Sequence, residues 1–419
     1  MFLHSIGIST TDKHAISTLA KKSGIPVKRL QQYETLGTIP SSHDLKAIAG
    51  ALETSVDELQ LRLGIMDRRL IHAIRANASH VFQAIQGNLV EIEQVSTQTF
   101  EPVFVTEFGR LYQADCIPFM KTMEDESVDL VFADPPFNLS KLYPSEIDDN
   151  LKADAYIEWC ESWLKECIRL LKPGGSLFVW NIPKWNIHLS NYLNQALTFR
   201  HWISVDVKYS LPISSRLYPS HYSLLYYCKG EKPNTFHPDR LPMDVCPHCV
   251  RELKDYGGYK DKMNPLGISL TDVWLDIPPV RHHKYKNRKD ANELSLRLMD
   301  RVVEMASNEG DVVFDPFGGA GTTYAAAELK KRNWIGVEIG PPEDIILRLN
   351  DINIERTYLE NIRSSLNNLF LPEVESARRK KGLWTCGHIP SRKAKRNPET
   401  TPAPVDNTNT PTLLGFENV

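Results

Sequence analysis

The sequence predicts a doubly wound α/β fold preceded by a small all-α domain. Two short apolar runs, Val128-Asp129-Leu130-Val131-Phe132-Ala133 and Asp311-Val312-Val313-Phe314, each lead into a loop. The first loop is Asp134-Pro135-Pro136-Phe137 and the second is Asp315-Pro316-Phe317-Gly318-Gly319-Ala320-Gly321. A strand that runs into a rigid or glycine-rich turn is how an open α/β sheet builds a ligand site at its carboxyl edge. Around these runs, helical and strand patterns alternate, as in a doubly wound sheet. Residues 1–65 instead carry helical spacing alone.

At 419 residues the chain exceeds one ordinary domain, and two domains with a tail are expected. An apolar share of 42%, with 9% aromatic, supplies material for a large core. The formal charge of -3 gives no global sign of a nucleic-acid binder, so any such charge must be local. Seven cysteines without dense spacing fit a reducing compartment better than a disulfide framework. No apolar stretch is long enough to span a bilayer, and no signal-peptide pattern opens the chain. A cytoplasmic protein without a membrane role is expected.

In the all-α domain, residues 1–65, Ile16, Leu19 and Ala20 begin an apolar stripe that Gly24-Ile25-Pro26 interrupts. Val27 to Leu36 forms the next helix, stopped by Gly37, and Leu45, Ile48, Ala49 and Leu52 mark another. The run from Ile16 to Pro26 resembles the helix-turn-helix of Cro-type repressors, and Ile48 to Leu52 and Val56 to Leu59 match that family's closing helices. The resemblance implies that the helix after the turn enters the major groove of double-stranded DNA. It would present Lys28, Arg29, Gln31 and Gln32, side chains able to pair with purine edges. The bland alternative is a helical bundle that only packs or binds protein, and the nearly neutral charge of the segment leaves it open.

Residues 66–99 read as a connecting helix through Leu70, Ile71, Ile74, Val81, Phe82, Ile85, Leu89 and Ile92. The α/β domain spans residues 100–375. Its expected elements include a helix from about Asp154 to Leu171, a stop at Lys172-Pro173-Gly174-Gly175, and a strand from Ser176 to Trp180. Further strands are expected over Trp202–Ser210, Tyr222–Cys228 and Trp334–Ile339, and a closing helix over Asp351–Phe370. At about 230–290 the pattern breaks into turns, charge and aromatics. From 376 to 419 the chain turns basic and then rich in proline, threonine and asparagine, a composition expected to be disordered. Its Arg378-Arg379-Lys380-Lys381 cluster suits phosphates or solvent equally.

The two loops together resemble those of the DNA amino-methyltransferases, with the catalytic loop first, the order of that family's β class. The resemblance implies a Rossmann-like methyltransferase sheet, S-adenosyl-L-methionine as cofactor, and direct methyl transfer to an exocyclic amine of a flipped-out base. The chemistry suits the residues. The amine lone pair is delocalised into the ring, and two acceptors on its hydrogens, the Asp134 carboxylate and the Pro135 carbonyl, would aim it. Pro135 and Pro136 stiffen that loop, and Phe137 offers a face for an unstacked base. A bare proline-stiffened turn is the alternative for this tetrapeptide taken alone.

Gly318, Gly319 and Gly321 let backbone approach a ligand, and Thr322 opens a helix whose N-terminus suits a carboxylate. Glu338, about twenty residues on, is placed for ribose hydroxyls. A glycine loop with a distant acid also suits a dinucleotide; the Asp315-Pro316-Phe317 lead-in resembles the methyltransferase loop instead. Asp115 matches a family position at the cofactor's adenine end, and equally reads as a helix cap. Where the family carries a Lys-Pro pair, this chain has Asn292-Glu293-Leu294.

Asp at the head of the catalytic loop goes with N6-adenine in the family, and Ser with N4-cytosine. Site-specific adenine-N6 methylation, in a restriction-modification system of a bacterial or phage-type nucleoid, is therefore expected. The alternatives are N4-cytosine methylation, or a transcription regulator whose methyltransferase-like half is inactive. C5-cytosine chemistry needs a cysteine in a Pro-Cys context, and no cysteine here follows proline. The irregular segment is where the family inserts target recognition, and Arg281, Lys284, Lys286 and Arg288 are its expected DNA contacts. A restriction endonuclease partner and a homodimer are compatible with this reading. Cys246-Pro247-His248-Cys249 has the spacing of one zinc knuckle. Completion would fall to His237, His248, His282, His283, or Cys386 with His388, and half a knuckle commits the pair to no metal.

Overall fold

The computed structural model describes residues 2–36, 39–66, 68–86, 99–139, 150–206, 215, 217–251, 263–278 and 293–385. The chain divides into two compact units, Met1–Gln94 and Val95–Val419.

The first unit is helical: α1 (Phe2–Ser5), α2 (Lys13–Ser23), α3 (Val27–Leu36), α4 (Ser42–Ala51), α5 (Val56–Arg62), α6 (Arg68–Ala76) and α7 (Ala78–Ile85). Asp12, Ser41 and Ser55 cap α2, α4 and α5 through side-chain bonds to backbone N–H groups, which is why these helices start where they do. α2 ends at Gly24 in the left-handed region (φ 70°), and α3 starts three residues later, a helix-turn-helix. Ile16, Leu19, Leu30, Ile48 and Leu59 form its core. The single connecting helix expected after residue 65 is two helices, α6 and α7. Asn77 interrupts it, its side-chain amide turning back to the Ala73 carbonyl at 2.9 Å.

The second unit begins with β1 (Phe104–Val105), β2 (Gly109–Gln113), α8 (Cys116–Met120), β3 (Val128–Ala133), α9 (Ala153–Leu170), β4 (Leu171–Asn181), α10 (Pro183–Leu193), β5 (Thr198–Asp206) and β6 (His221–Cys228). After these come β7 (Arg240–Leu241), β8 (Ile268–Ser269), β9 (Val273–Trp274), α11 (Leu296–Ala306), β10 (Val312–Asp315), α12 (Thr322–Leu329) and β11 (Asn333–Glu338). α13 (Glu343–Asn350), α14 (Asn353–Ser365) and α15 (Pro372–Lys380) close the unit. The main sheet runs β1-β2-β11-β10-β3-β4-β6-β5-β9, parallel from β2 to β4. Alternation along β3 feeds both faces: Leu130 and Phe132 join the core under α11, while Val131 and Ala133 join the core under α9. The double burial explains why β3 reads as a continuous apolar run.

Residues 230–278 hold the two-stranded ribbon β7–β8 and the edge strand β9. The chain beyond 376, expected to be disordered, is helical to Lys380 and packed to Thr385. Arg378 is buried, which removes it from the proposed phosphate cluster; residues 386–419 lie outside the described residues. Among the described residues, no helix is long and apolar enough to cross a membrane.

Candidate active site

β3 and β10 are parallel neighbours, Val313 beside Leu130 and Phe314 beside Val131, yet the chain leaves them in opposite directions. β4 lies outward of β3, and β11 outward of β10. Such a divergence opens a crevice beyond the carboxyl ends, where open α/β sheets take ligands. Asp134 follows β3, Asp315 ends β10, Glu338 ends β11, and Asp115 follows β2. The residues expected from sequence thus lie along one edge of four adjacent strands, about 14 Å across at ~4.8 Å per strand.

Asp134 is half-buried and Pro135 buried. Tyr156 of α9 donates its hydroxyl to the Pro136 carbonyl at 2.6 Å, and Trp185 of α10 donates Nε1 to the Phe137 carbonyl at 2.7 Å. Asn181, at the end of β4, donates to the Tyr156 hydroxyl at 3.2 Å. Among the described residues, no donor reaches the Pro135 carbonyl. The open face expected of Phe137 is not seen. Its ring is 6% exposed and lies 5.7 Å from Tyr222, because that corner of the core, shared with Trp180, gives it more apolar burial than the crevice. Asn138 takes a left-handed backbone (φ 52°), and its side-chain amide brackets Leu151, accepting from the N–H at 2.7 Å and donating to the carbonyl at 2.8 Å.

In the second loop the glycines have different causes. A Cβ at Gly318 would meet the Tyr324 hydroxyl at 2.8 Å, and one at Gly321 would meet Ile345 at 2.8 Å, so packing dictates both. At Gly319 (φ 53°) the nearest atom is 3.8 Å away, leaving open space beside the backbone. Glu338 clamps the loop: Oε2 accepts from the Gly319 N–H at 2.7 Å and Oε1 from the Gly340 N–H at 2.8 Å. A carboxylate has about four lone-pair positions, so an acid clamping a loop in this way can also accept from a ligand hydroxyl. The open cradle at Gly319 and the acid beside it fit the ribose and backbone-facing parts of S-adenosyl-L-methionine.

Asp315 lies below this cradle, fully buried, accepting from the Phe317 N–H at 2.9 Å and the Thr323 hydroxyl at 2.5 Å. Burial pushes its carboxyl up to about 7, with the Glu338 charge adding to the rise and the two hydrogen bonds opposing it. Phe317 is half-buried between Trp159 and Trp163, ring centroids 5.9 and 5.1 Å away, and so anchors the loop on α9. Thr322, expected to open a helix whose N-terminus suits a carboxylate, has its hydroxyl turned inward to accept from Arg348 at 2.8 Å, so the loop offers backbone there. Asp115 is exposed and caps α8 through the Ile117 N–H at 2.9 Å.

Sequence reading missed four residues that hold these loops: Tyr156, Asn181, Trp185 and Arg348. Arg348, buried on α13, donates to the Ala320 carbonyl at 2.7 Å and pairs with Glu293 and Glu355. Glu293 stands where the family's Lys-Pro pair was expected. No local motif marks these four; only their distance partners do.

On α3, Lys28, Arg29, Gln31 and Gln32 are all exposed. Arg29 is not a free reader: its Nε lies 3.0 Å from the Tyr33 hydroxyl and 2.8 Å from buried Asp44, because Asp44 needs a cation there. Arg281, Lys284, Lys286 and Arg288 lie outside the described residues. No group of three or more metal-ligating side chains occurs among the described residues.

The DNA methylase family profile matches residues 128–343, and a helix-turn-helix profile matches residues 15–59. The chain is 47% identical over 383 residues to the type II methyltransferase M.BamHI of Bacillus amyloliquefaciens, covering 91% of this chain and 90% of that one. It is 30% identical over 258 residues to the DNA adenine methyltransferase YhdJ of Escherichia coli, covering 61% and 86%. A solved structure, PvuII DNA methyltransferase (cytosine-N4-specific), aligns at TM-score 0.45 and 21% identity over 63% of this chain and 95% of its own. With its catalytic loop preceding its cofactor loop, the chain belongs to the β-class DNA amino-methyltransferases, S-adenosyl-L-methionine-dependent DNA methylases, and carries an N-terminal helix-turn-helix.

Proposed function

We propose that this enzyme methylates the N6 amine of an adenine flipped out of a short duplex site, as the modification half of a restriction-modification pair. The observation that carries the reading is the Pro135 carbonyl, held in a loop pinned on both following carbonyls, with Asp134 beside it and the cofactor cradle on the adjacent strand. When bound, S-adenosyl-L-methionine supplies an electrophilic methyl group. The Asp134 carboxylate and Pro135 carbonyl each accept one amine hydrogen, drawing the nitrogen lone pair out of the ring, and the proton displaced on methylation leaves through the acceptor that holds it. Glu338 would hold the ribose hydroxyls, Asp115 would face the adenine end, and the start of α12 would face the carboxylate. Asp315, Gly318 and Gly321 shape that cradle from beneath.

Lys28, Gln31 and Gln32 read the major groove from α3, with Arg29 fixed by Asp44 for a phosphate or base edge. Arg281, Lys284, Lys286 and Arg288 would contact the target DNA. M.BamHI's type II designation supports the restriction-modification setting and hence an endonuclease partner. Two helix-turn-helix units on symmetric half-sites would make the acting form a homodimer.

The second reading is cytosine N4. The two acceptors engage the amine, which both bases carry, so the first reading rests on Asp134 and on the adenine enzyme YhdJ. Single-base-resolution modification sequencing of DNA from cells expressing the chain, beside Asp134→Ala, tests both. N6-methyladenine at one short motif, absent in the control, is expected. N4-methylcytosine would overturn the base, and no modified base in either sample would overturn catalysis on DNA.

A further inference from the structure

Three polar side chains beside the catalytic loop are sealed from water: Asn181, Asn186 and Ser223 are each 0% exposed. They join the loop in one hydrogen-bonded chain. Asn186 of α10 donates from Nδ2 to the Ser223 hydroxyl at 2.7 Å and to the Ser223 carbonyl at 3.0 Å. The Ser223 hydroxyl donates to the Asn181 carbonyl at 3.1 Å, where β6 and β4 pair these two residues in register. Asn181 accepts from the Ile182 N–H at 2.7 Å, which fixes its side chain, and donates from Nδ2 to the Tyr156 hydroxyl. That hydroxyl in turn holds the Pro136 carbonyl. Trp185, the residue before Asn186, holds the Phe137 carbonyl. The turn between β4 and α10 therefore supports both carbonyls, and Asn186 with Ser223 ties that turn to β6.

Packing alone does not call for these groups. Ser223 opens a run to Cys228 in which every residue is fully buried and the rest are apolar or aromatic, so alanine would fit there without a hydroxyl to satisfy. Asn186 is less favourable still: its Oδ1 is buried and, among the described residues, accepts from no donor. Buried polar atoms normally find partners, and an apolar side chain of similar shape would remove the orphan. A polar chain kept against stability beside a reacting loop is better explained by what it does to that loop.

We propose that Asn186 and Ser223 are positioning residues for methyl transfer. They lock the β4–α10 turn, from which Asn181 with Tyr156, and Trp185, set the carbonyls of Pro136 and Phe137 and so aim the Pro135 carbonyl. Both are sealed from solvent, so they act through the loop and not on the substrate. The donors all point one way, toward the loop, and each hydroxyl that accepts a bond is strengthened as a donor in the next. The inference rests on the reading of Asp134 and Pro135 as acceptors for the amine hydrogens.

The test is transfer of labelled methyl from S-adenosyl-L-methionine to unmodified duplex DNA by full-length Ser223→Ala and Asn186→Leu. Total incorporation is counted, so the identity of the base does not enter. In each variant kcat should fall about 10-fold, with KM for the cofactor within about twofold. Combined with Tyr156→Phe, Ser223→Ala should lower kcat by less than the product of the two single losses, because both act through one chain. Ser223→Ala removes a single oxygen, so it keeps the test open if Asn186→Leu folds poorly. An unchanged kcat per folded enzyme in Ser223→Ala would overturn the proposal, even beside a lowered melting temperature, and so would losses that multiply with Tyr156→Phe. Asp134→Ala separates the two levels. If it abolishes transfer while Ser223→Ala has no effect, only the lock fails; if it transfers at the full rate, the acceptor reading fails with it.

Discussion

Replacing Tyr156 with phenylalanine removes one oxygen and nothing else from the support of the catalytic loop. That oxygen donates to the Pro136 carbonyl at 2.6 Å and accepts from Asn181 at 3.2 Å. The ring keeps its neighbours, Trp185 at 4.7 Å and Trp159 at 5.8 Å. Half-buried Pro136 and buried Asn181 each lose a bond, a cost of about 1–3 kcal/mol in stability. If roughly 1.4–2.8 kcal/mol of that support aims the Pro135 carbonyl, kcat falls about 10- to 100-fold. Phe317 and its loop rest on Trp159 and Trp163, which the substitution leaves in place, so KM for S-adenosyl-L-methionine should stay within about twofold. Transfer of labelled methyl to duplex DNA, with cofactor varied at saturating DNA, separates the two constants. An unchanged kcat in a measurably destabilised enzyme would refute the idea that this hydroxyl preorganises the loop. A loss confined to cofactor KM would place the hydroxyl on the wrong half of the site.

Three further outcomes follow from the same contacts. Arg348→Met strands Glu293, whose side chain is 4% exposed, and should cost about 3–5 kcal/mol along with cofactor affinity; adding Glu293→Gln should restore part of the stability in thermal unfolding, and full additivity would deny the coupling. The proton on Asp315 binds more tightly in the folded chain (about 7) than in the unfolded one (about 3.9), so its stabilisation is complete below pH 4 and is lost as pH rises through 7. Asp315→Asn should flatten the stability–pH curve in that window by on the order of 4 kcal/mol at most, and an unaltered slope in denaturant titrations would refute it. Asp44→Asn weakens the Tyr33 and Arg29 contacts and should loosen the first unit by about 1–3 kcal/mol, seen as faster amide exchange in α2 to α4 with the second unit unaffected.

What could be read in advance was whatever a short stretch of chain specifies. β3 matches its expected bounds because a strand buried on both faces must be apolar throughout, and α3 because Ile25-Pro26 and Gly37 frame it. Both functional loops declared themselves because each follows such a strand directly. Tyr156 and Trp185 did not, since their partners lie 20 and 48 residues away and a tyrosine or tryptophan in an amphipathic helix looks like core. Arg378 misled for the same reason: a basic cluster looks solvated until Val250, 128 residues earlier, supplies the acceptor. Arg29 looked like a free reader because Asp44 is close in sequence but carries no mark of burial. The β9 strand, two residues long, is too short for any periodicity to show.

The bracket between Asn138 and Leu151 ties the residue after Phe137 to the chain entering α9 by two amide hydrogen bonds. Strain passed back from Leu151 meets those two bonds before it meets Phe137. Closing a longer loop costs only about 0.6 kcal/mol per doubling of length. An insertion between Asn138 and Leu151 should therefore leave the shape of the tetrapeptide before Asn138 unchanged. Mechanical insulation of this kind lets sequence beyond Asn138 drift, or an engineer exchange it, without retuning the chemistry of Asp134 to Phe137.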